Sequence, residues 1–225
     1  MNENTGSYGG FYVGVKRGYE RGYDWWWLMD DDTIPTETAL ENLINKNIAL
    51  DPNKIGFLCS KVLWTDQSPH FMNIPGIKPL INSIPFNIYD EKDLLLVESA
   101  SFVSLLIKRN AIKTIGLPIK EFFIWGDDVE YTLRITKNGF LGFYVKDSIT
   151  IHKTKTNYPS ANVDNWRYYY IIRNWLIILK KYDKKRYIYN LVKNLAKTIV
   201  LPPSLWFINL KACIASIFFR NYHSK

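Results

Sequence analysis

The sequence predicts an α/β fold, with a mostly parallel central sheet flanked by helices and a basic helical segment at the C-terminal end. Three observations carry this expectation. Short apolar runs of strand composition alternate with stretches of helical period between residues 11 and 151. Two of those runs, Trp25-Trp26-Trp27-Leu28-Met29 and Phe122-Phe123-Ile124-Trp125, stop abruptly at acids, Asp30-Asp31-Asp32 and Asp127-Asp128. Residues 180–225 hold ten Lys or Arg and one acid, Asp183, so the formal net charge of +8 belongs to that segment and the rest is close to neutral.

Taken in order, residues 1 to 10 hold Gly6, Gly9 and Gly10 and read as a loop. Phe11, Val15 and Tyr19 recur at four-residue spacing, which predicts a short helix ending at Gly22. The Trp-rich strand follows directly, an αβ step with a tight loop. Thr38-Ala39-Leu40-Glu41 matches a capping box, and Leu40, Leu43, Ile44 and Ile48 share one helical face. Residues 55–60 predict a strand. Residues 64–93 carry Pro69, Pro75, Pro79 and Pro85 and read as a long excursion with short strands, of the kind that shapes a substrate pocket.

Residues 94–107 are apolar and β-prone and return to the core; residues 111–115 form a short helix closed by Gly116. Asp127, with Glu130 three residues on, fits an N-cap and its capping partner, opening a helix that Gly139 ends. Residues 140–145 and 148–151 read as strand, followed by His152 and Lys153. A helix spans 165–182, a basic break 180–186, a second helix 187–200, and a third apolar segment 204–219 beyond Pro202-Pro203. Residues 1–160 are thus expected to be an α/β domain and 161–225 a helical C-terminal segment.

Composition narrows the partners. Cys59 and Cys213 lie far apart in apolar surroundings and read as small buried hydrophobes, without a disulfide or metal pattern. The opening residues do not resemble a signal peptide. The uncharged stretch 198–210 is too short to cross a bilayer, whereas a basic amphipathic segment can lie on an anionic membrane surface; packing onto the core or a partner subunit is the other reading. No nucleic acid is expected, because the aromatics sit in apolar runs and are not interleaved with Arg.

Three adjacent carboxylates at the end of an apolar strand belong where the chain leaves the core, at the mouth of a crevice. Either they form an acidic polar turn, closed by Pro35 and Thr36, or they share a hard divalent cation with substrate phosphates.

Read together, the two acidic strand ends resemble family 2 glycosyltransferases of the GT-A fold. More narrowly they resemble the galactofuranosyltransferase and rhamnosyltransferase-like branch of bacterial polysaccharide assembly. The residues that carry this are Gly9-Gly10-Phe11, Trp27 through Pro35, Phe123-Ile124-Trp125-Gly126-Asp127-Asp128-Val129-Glu130-Tyr131, His152-Lys153 and Arg173-Asn174. The resemblance spans roughly residues 5–180.

It implies that Asp30, Asp32 and His152 bind Mn2+ or Mg2+, and that Asp30 and Asp31 contribute to the nucleotide-diphosphate sugar site. A histidine simply hydrogen-bonded at a strand end is the alternative for His152. The resemblance makes Asp128 the general base of an inverting transfer. Asp127 then either caps the helix or binds acceptor. Glu130 is a capping partner or an acid near the acceptor. Trp125 offers a face to a sugar ring or packs in the core, and Trp64 has the same ambiguity.

The implied reaction moves a hexose, of galactofuranose or rhamnose type, to a growing cell-surface glycan. A lipid-linked acceptor would place the chain in the cytoplasm, peripheral at the inner face of the membrane. The departure from the family is at the front. Nothing matches the strand–helix–strand that holds the nucleotide base, so the chain is expected to be N-terminally truncated, with an exposed sheet edge that invites oligomerisation. The alternative function is a catalytically inactive remnant serving as a membrane-associated interaction module.

Overall fold

Strands of three to twelve residues build one six-stranded sheet in the computed structural model, which describes residues 6–48, 54–157 and 165–220. In chain order the elements begin with α1 (Gly6–Glu20), β1 (Trp25–Leu28), β2 (Thr33–Pro35), α2 (Ala39–Ile48) and β3 (Ile55–Leu63). The excursion carries only a two-residue hairpin, β4 (Leu80–Ile81) and β5 (Ile84–Pro85), and single 3-10 turns. Then come β6 (Leu94–Val97), β7 (Leu105–Lys108), α3 (Arg109–Ile115), α4 (Asp127–Lys137) and β8 (Leu141–His152). Three helices follow: α5 (Asn165–Tyr182), α6 (Lys184–Lys197) and α7 (Pro203–Phe218).

The strand order is β1-β7-β3-β8-β2, with β6 beside β8. The α/β class holds, but the expected mostly parallel sheet does not. Only β3 and β8 pair in parallel among the described residues. The reason is topological. β1, β3 and β8 do share one direction, as alternating helices and strands require. However, β7 runs the other way between β1 and β3, and the short β6 and β2 pair antiparallel with β8. The apolar content of residues 94–107 could not reveal where those strands insert.

β8 is the strand on which the others converge. Its first half pairs with β3 and β6, and its last residues pair with β3 and β2. The two strands expected at 140–145 and 148–151 are one strand with a register shift after Val145. That irregularity turns Ser148 inward, where a buried hydroxyl chain crosses the sheet. Ser148 donates to the Ala39 carbonyl at 2.8 Å, so it accepts from Ser60 at 2.7 Å. Ser60 in turn accepts from Ser104 at 2.6 Å, and Ser104 accepts from the Trp27 indole at 3.0 Å. Each hydroxyl has one proton, so the last acceptor fixes the direction of the whole chain.

Two apolar layers cover the sheet. Phe57, Cys59, Leu105, Ile107, Tyr131 and Ile135 belong to one, and Leu43, Leu58, Leu96, Leu106 and Phe143 to the other. Burial pushes the Cys59 thiol up to about 12, so it stays protonated and acts as a small apolar side chain. Gly142 lies opposite Phe57 in the β3–β8 pair, and a Cβ there would run into the Phe57 ring. Gly142→Ala is therefore expected to destabilise the protein by about 1–3 kcal/mol through overpacking, measured as a lowered urea midpoint.

Other boundaries shift with local chemistry. α1 already runs from Gly6, so part of the expected opening loop is helix; residues 1–5 lie outside the described ones. The expected basic break ends early because Asp183 accepts the Arg186 N–H at 3.0 Å and caps α6 at Lys184. By contacts the chain forms two units: residues 11–118 with 128–159, and residues 1–10, 119–127 and 160–225. Residues 119–127 thus group with the C-terminal helices. The Asn174 amide in α5 explains this. It donates to the carbonyls of Phe122, Ile124 and Trp125 at 2.9, 2.9 and 2.7 Å.

Candidate active site

β1 delivers the chain from the core to Asp30, and a tight turn follows in which the Thr33 N–H donates to the Asp30 carbonyl at 3.2 Å. The turn places Asp30 and Asp32 half-buried and Asp31 exposed. β2 then pairs with the end of β8, Thr33 opposite His152, and the Lys153 N–H donates to the Asp32 carbonyl at 2.9 Å. That register brings residues 120 positions apart into contact. His152 Nε2 lies 3.0 Å from Asp32 Oδ1 and 3.9 Å from Asp30 Oδ2. One ligand atom from each of the three falls within 4.8 Å of the others.

The histidine is tethered from behind. The Asn73 amide nitrogen donates to Ser101 Oγ at 2.9 Å, which turns Asn73 Oδ1 toward His152 Nδ1 at 2.8 Å. An amide oxygen only accepts, so Nδ1 carries the proton and Nε2 faces the two carboxylates. An Nε2 lone pair against two carboxylates is repulsive unless a proton or a metal ion lies between them. A ligating histidine that donates its other N–H to a carbonyl is the usual support of a metal site. Two carboxylate oxygens and one imidazole nitrogen suit a divalent cation such as Mn2+ or Mg2+. Burial raises the Asp30 carboxyl above the usual Asp range; His152 opposes that shift, while Asp32 and Asp31 add to it. A bound cation would reverse this penalty, since it favours the charged form.

His70 packs its ring on His152, with centroids 4.7 Å apart. Thr154 donates its hydroxyl to the Thr156 carbonyl at 2.8 Å, so it accepts from His70 Nε2 at 2.8 Å. His70 is then protonated at Nε2. Burial, and the charge of His152, hold it below the ordinary histidine range against the opposing pull of Asp32. A neutral ring there avoids two adjacent imidazolium charges. Trp64, a candidate sugar platform in the sequence, donates its indole N–H to the Thr154 carbonyl at 2.9 Å and ties the excursion to the segment after β8.

The second acidic set opens α4. Asp128 is half-buried, and one of its carboxyl oxygens accepts the Val129 N–H at 2.7 Å. Asp127 is buried. Glu130 is 1 % exposed, and its two carboxylate oxygens accept from Arg134 at 3.2 and 3.0 Å. The expected role of Glu130 as an acceptor contact therefore needs correction. Its carboxylate is turned along α4 into an ion pair whose guanidinium also holds the Ile115 and Leu117 carbonyls. Held in that pair, the carboxylate has almost no surface to offer an acceptor.

Thr132, one turn on, donates to the Asp128 carbonyl at 2.7 Å and accepts the Ala100 N–H at 3.1 Å. Ala100 precedes Ser101, the residue that orients Asn73. One short loop between β6 and β7 therefore supports both the His152 tether and the first turn of α4.

Trp125 lies in the other unit, partly exposed, with Arg167 5.8 Å over its ring. Phe123, Trp125 and Gly126 all have positive φ, at 61°, 58° and 83°. For the two aromatic residues such a backbone is strained. The three carbonyl contacts of Asn174, with those of Arg173 to Glu121 and Phe122, hold the turn in place.

Sequence reasoning missed Asn73, Ser101 and His70, which sit in or beyond the Pro-rich excursion without any periodic pattern. Asn73→Ala is expected to weaken Mn2+ binding about 10–100-fold, with Asn73→Asp restoring it because a carboxylate also accepts from Nδ1. Manganese titration with a thermal melt on each variant checks this, and Asn73→Ala should melt close to wild type.

No family model matches the chain. Among known proteins it is 26% identical over 160 residues to galactofuranosyltransferase GlfT1 of Mycolicibacterium smegmatis, covering 60% of this chain and 46% of that protein. The GlfT1 of Mycobacterium tuberculosis is 25% identical over 151 residues, covering 60% and 45%. The chain thus spans about half the length of the curated relatives it matches. Among solved structures it is similar to GalNAc-T7, crystallised with UDP, GalNAc and Mn2+. The TM-score is 0.58 at 12% identity, over 94% of this chain and 42% of that one. The fold of this chain is therefore the α/β, GT-A fold of a glycosyltransferase, and its sequence is similar to galactofuranosyltransferases.

Proposed function

We propose that the chain is the catalytic part of a metal-dependent, inverting glycosyltransferase. It moves a hexose, of galactofuranose or rhamnose type, from a nucleotide diphosphate to a hydroxyl of a growing cell-surface glycan, lipid-linked at the cytoplasmic face of the membrane. The observation that carries this reading is the convergence of Asp30, Asp32 and His152 with His152 Nδ1 tethered to Asn73. The similarity to galactofuranosyltransferases and the UDP and Mn2+ bound by GalNAc-T7 support it.

Asp30, Asp32 and His152 would hold Mn2+ or Mg2+, and Asp31, exposed beside them, faces the donor. A divalent ion there supplies Lewis-acid neutralisation of the leaving diphosphate. Asp128 acts as the base. Its carboxylate takes the proton of the acceptor hydroxyl as the oxygen bonds to the anomeric carbon and the bond from that carbon to the diphosphate oxygen breaks. One face of the sugar is attacked while the other is vacated, so the anomeric configuration inverts. Trp125, three residues before the base, contacts the acceptor, while Asp127, buried at the start of α4, opens the helix. The ring of Trp125 offers a flat apolar face to a sugar.

The test is transfer itself. The purified chain, a set of nucleotide sugars and a lipid-linked glycan acceptor should yield nucleoside diphosphate and an elongated glycan with Mn2+, and neither with EDTA. Product anomers are read by NMR. Transfer that persists in EDTA, or retention at the anomeric carbon, would contradict the proposal. A folded chain that transfers no sugar and binds no UDP would point to the non-catalytic interaction module.

A further inference from the structure

The C-terminal helices present their apolar faces outward. α7 buries Asn209, Ala212, Cys213 and Ser216, a small and partly polar set. Its large side chains Phe207, Leu210, Ile214, Ile217 and Phe218 are exposed, at spacings that put them on one face. A water-facing helix shows the opposite arrangement.

The inversion is fixed by polar contacts. Asn209 is fully buried; its amide donates to the Asn194 carbonyl and to Thr198 Oγ1, both at 2.8 Å, and Tyr168 donates to its oxygen at 3.3 Å. Turning α7 over would break all three. α6 repeats the pattern. It buries no residue, and Ile188, Val192 and Leu195 line one exposed face that Ile199 and Val200, each 79 % exposed, continue past its end.

The charge around these faces has one sign. Between Lys184 and Phe218 there are six Lys or Arg and no acid, and the preceding Asp183 is engaged as the α6 cap. A second copy of the same face would bring cations against cations. An anionic surface meets both the apolar stripe and the lysines beside it. Among the described residues no helix is long and apolar enough to cross a membrane. The 16 residues of α7 reach only ~24 Å, short of a hydrocarbon core of about 30 Å.

We infer that α6 and α7 form a membrane-docking surface that lies on a bilayer carrying anionic head groups. Ile199, Val200 and Phe207, around the α6–α7 elbow, enter the acyl boundary, and Lys184, Lys185 and Lys211, which flank the apolar stripes, contact the phosphates. This gives the location in the proposed function a named surface, and it does not depend on the transfer chemistry.

The test uses the full chain and two sets of vesicles, phosphatidylcholine alone and phosphatidylcholine with phosphatidylglycerol. Wild type should sediment with the anionic vesicles and release in high salt. The double variant Ile199→Glu/Phe207→Glu should bind them at least tenfold more weakly. Both positions are exposed, so its thermal melt should match wild type. UDP binding with Mn2+, measured on the same samples, should be equal for the two proteins, which separates failure here from failure of the enzymatic reading. Wild type that stays in solution with anionic vesicles overturns the inference, as does a double variant that binds like wild type. A vesicle-independent dimer abolished by the double variant would make this face a contact between copies instead.

Discussion

Asp128→Asn is expected to lower transfer by about 10²–10⁴-fold while leaving UDP and Mn2+ binding close to wild type. The amide keeps the size of the carboxyl and its bond to the Val129 N–H, so the first turn of α4 survives. What it loses is the ability to take a proton from the acceptor. The proposed metal site of Asp30, Asp32 and His152 is carried by β1, β2 and β8 and shares no residue with α4. The expected signature is a turnover defect without a binding defect. Near-wild-type turnover would move the base elsewhere, and equal loss of turnover and UDP binding would make Asp128 part of the donor site.

His152→Ala is the second large effect. It removes one of the three proposed ligating atoms and also releases Asn73, so Mn2+ affinity should fall beyond the ~10–100-fold typical of a supporting residue. Turnover should fall with it. The chain should remain folded, because the β2–β8 register is made by backbone bonds and the side chain at 152 is not part of either apolar cluster. Manganese titration followed by a urea melt separates the two. A variant that binds Mn2+ as wild type does would leave His152 a strand-end histidine held by Asn73 and Asp32.

Asp30-Asp31-Asp32 were legible because an apolar run that stops at carboxylates marks where a strand leaves the core; the second such run, before Asp127, is instead a 3-10 turn and a tight loop leading into α4. What brings Asp32 to His152 was not. It is the antiparallel pairing of a three-residue strand, Thr33–Pro35, with the end of a strand more than a hundred residues later. Three residues carry no usable period, and the same limit hid β7 between β1 and β3.

Asn73 was invisible for a related reason. Its role depends on Ser101 and His152, both remote in sequence, within a loop whose composition only signals irregular chain. At Glu130 the spacing of a capping box is also the start of an i to i+4 ion pair, and Arg134 lies at the fourth position. In α7 the apolar content was evident, but which face turns outward depended on Asn209 finding partners in α6 and α5.

The central claim is that Asp30, Asp32 and His152 hold a divalent ion that in turn binds a nucleoside diphosphate. Calorimetric titration of UDP into the chain with Mn2+ tests it directly. The prediction is saturable binding that vanishes in EDTA and in Asp32→Ala. UDP binding that is indifferent to both, or no heat of binding at millimolar UDP with Mn2+ present, would contradict it.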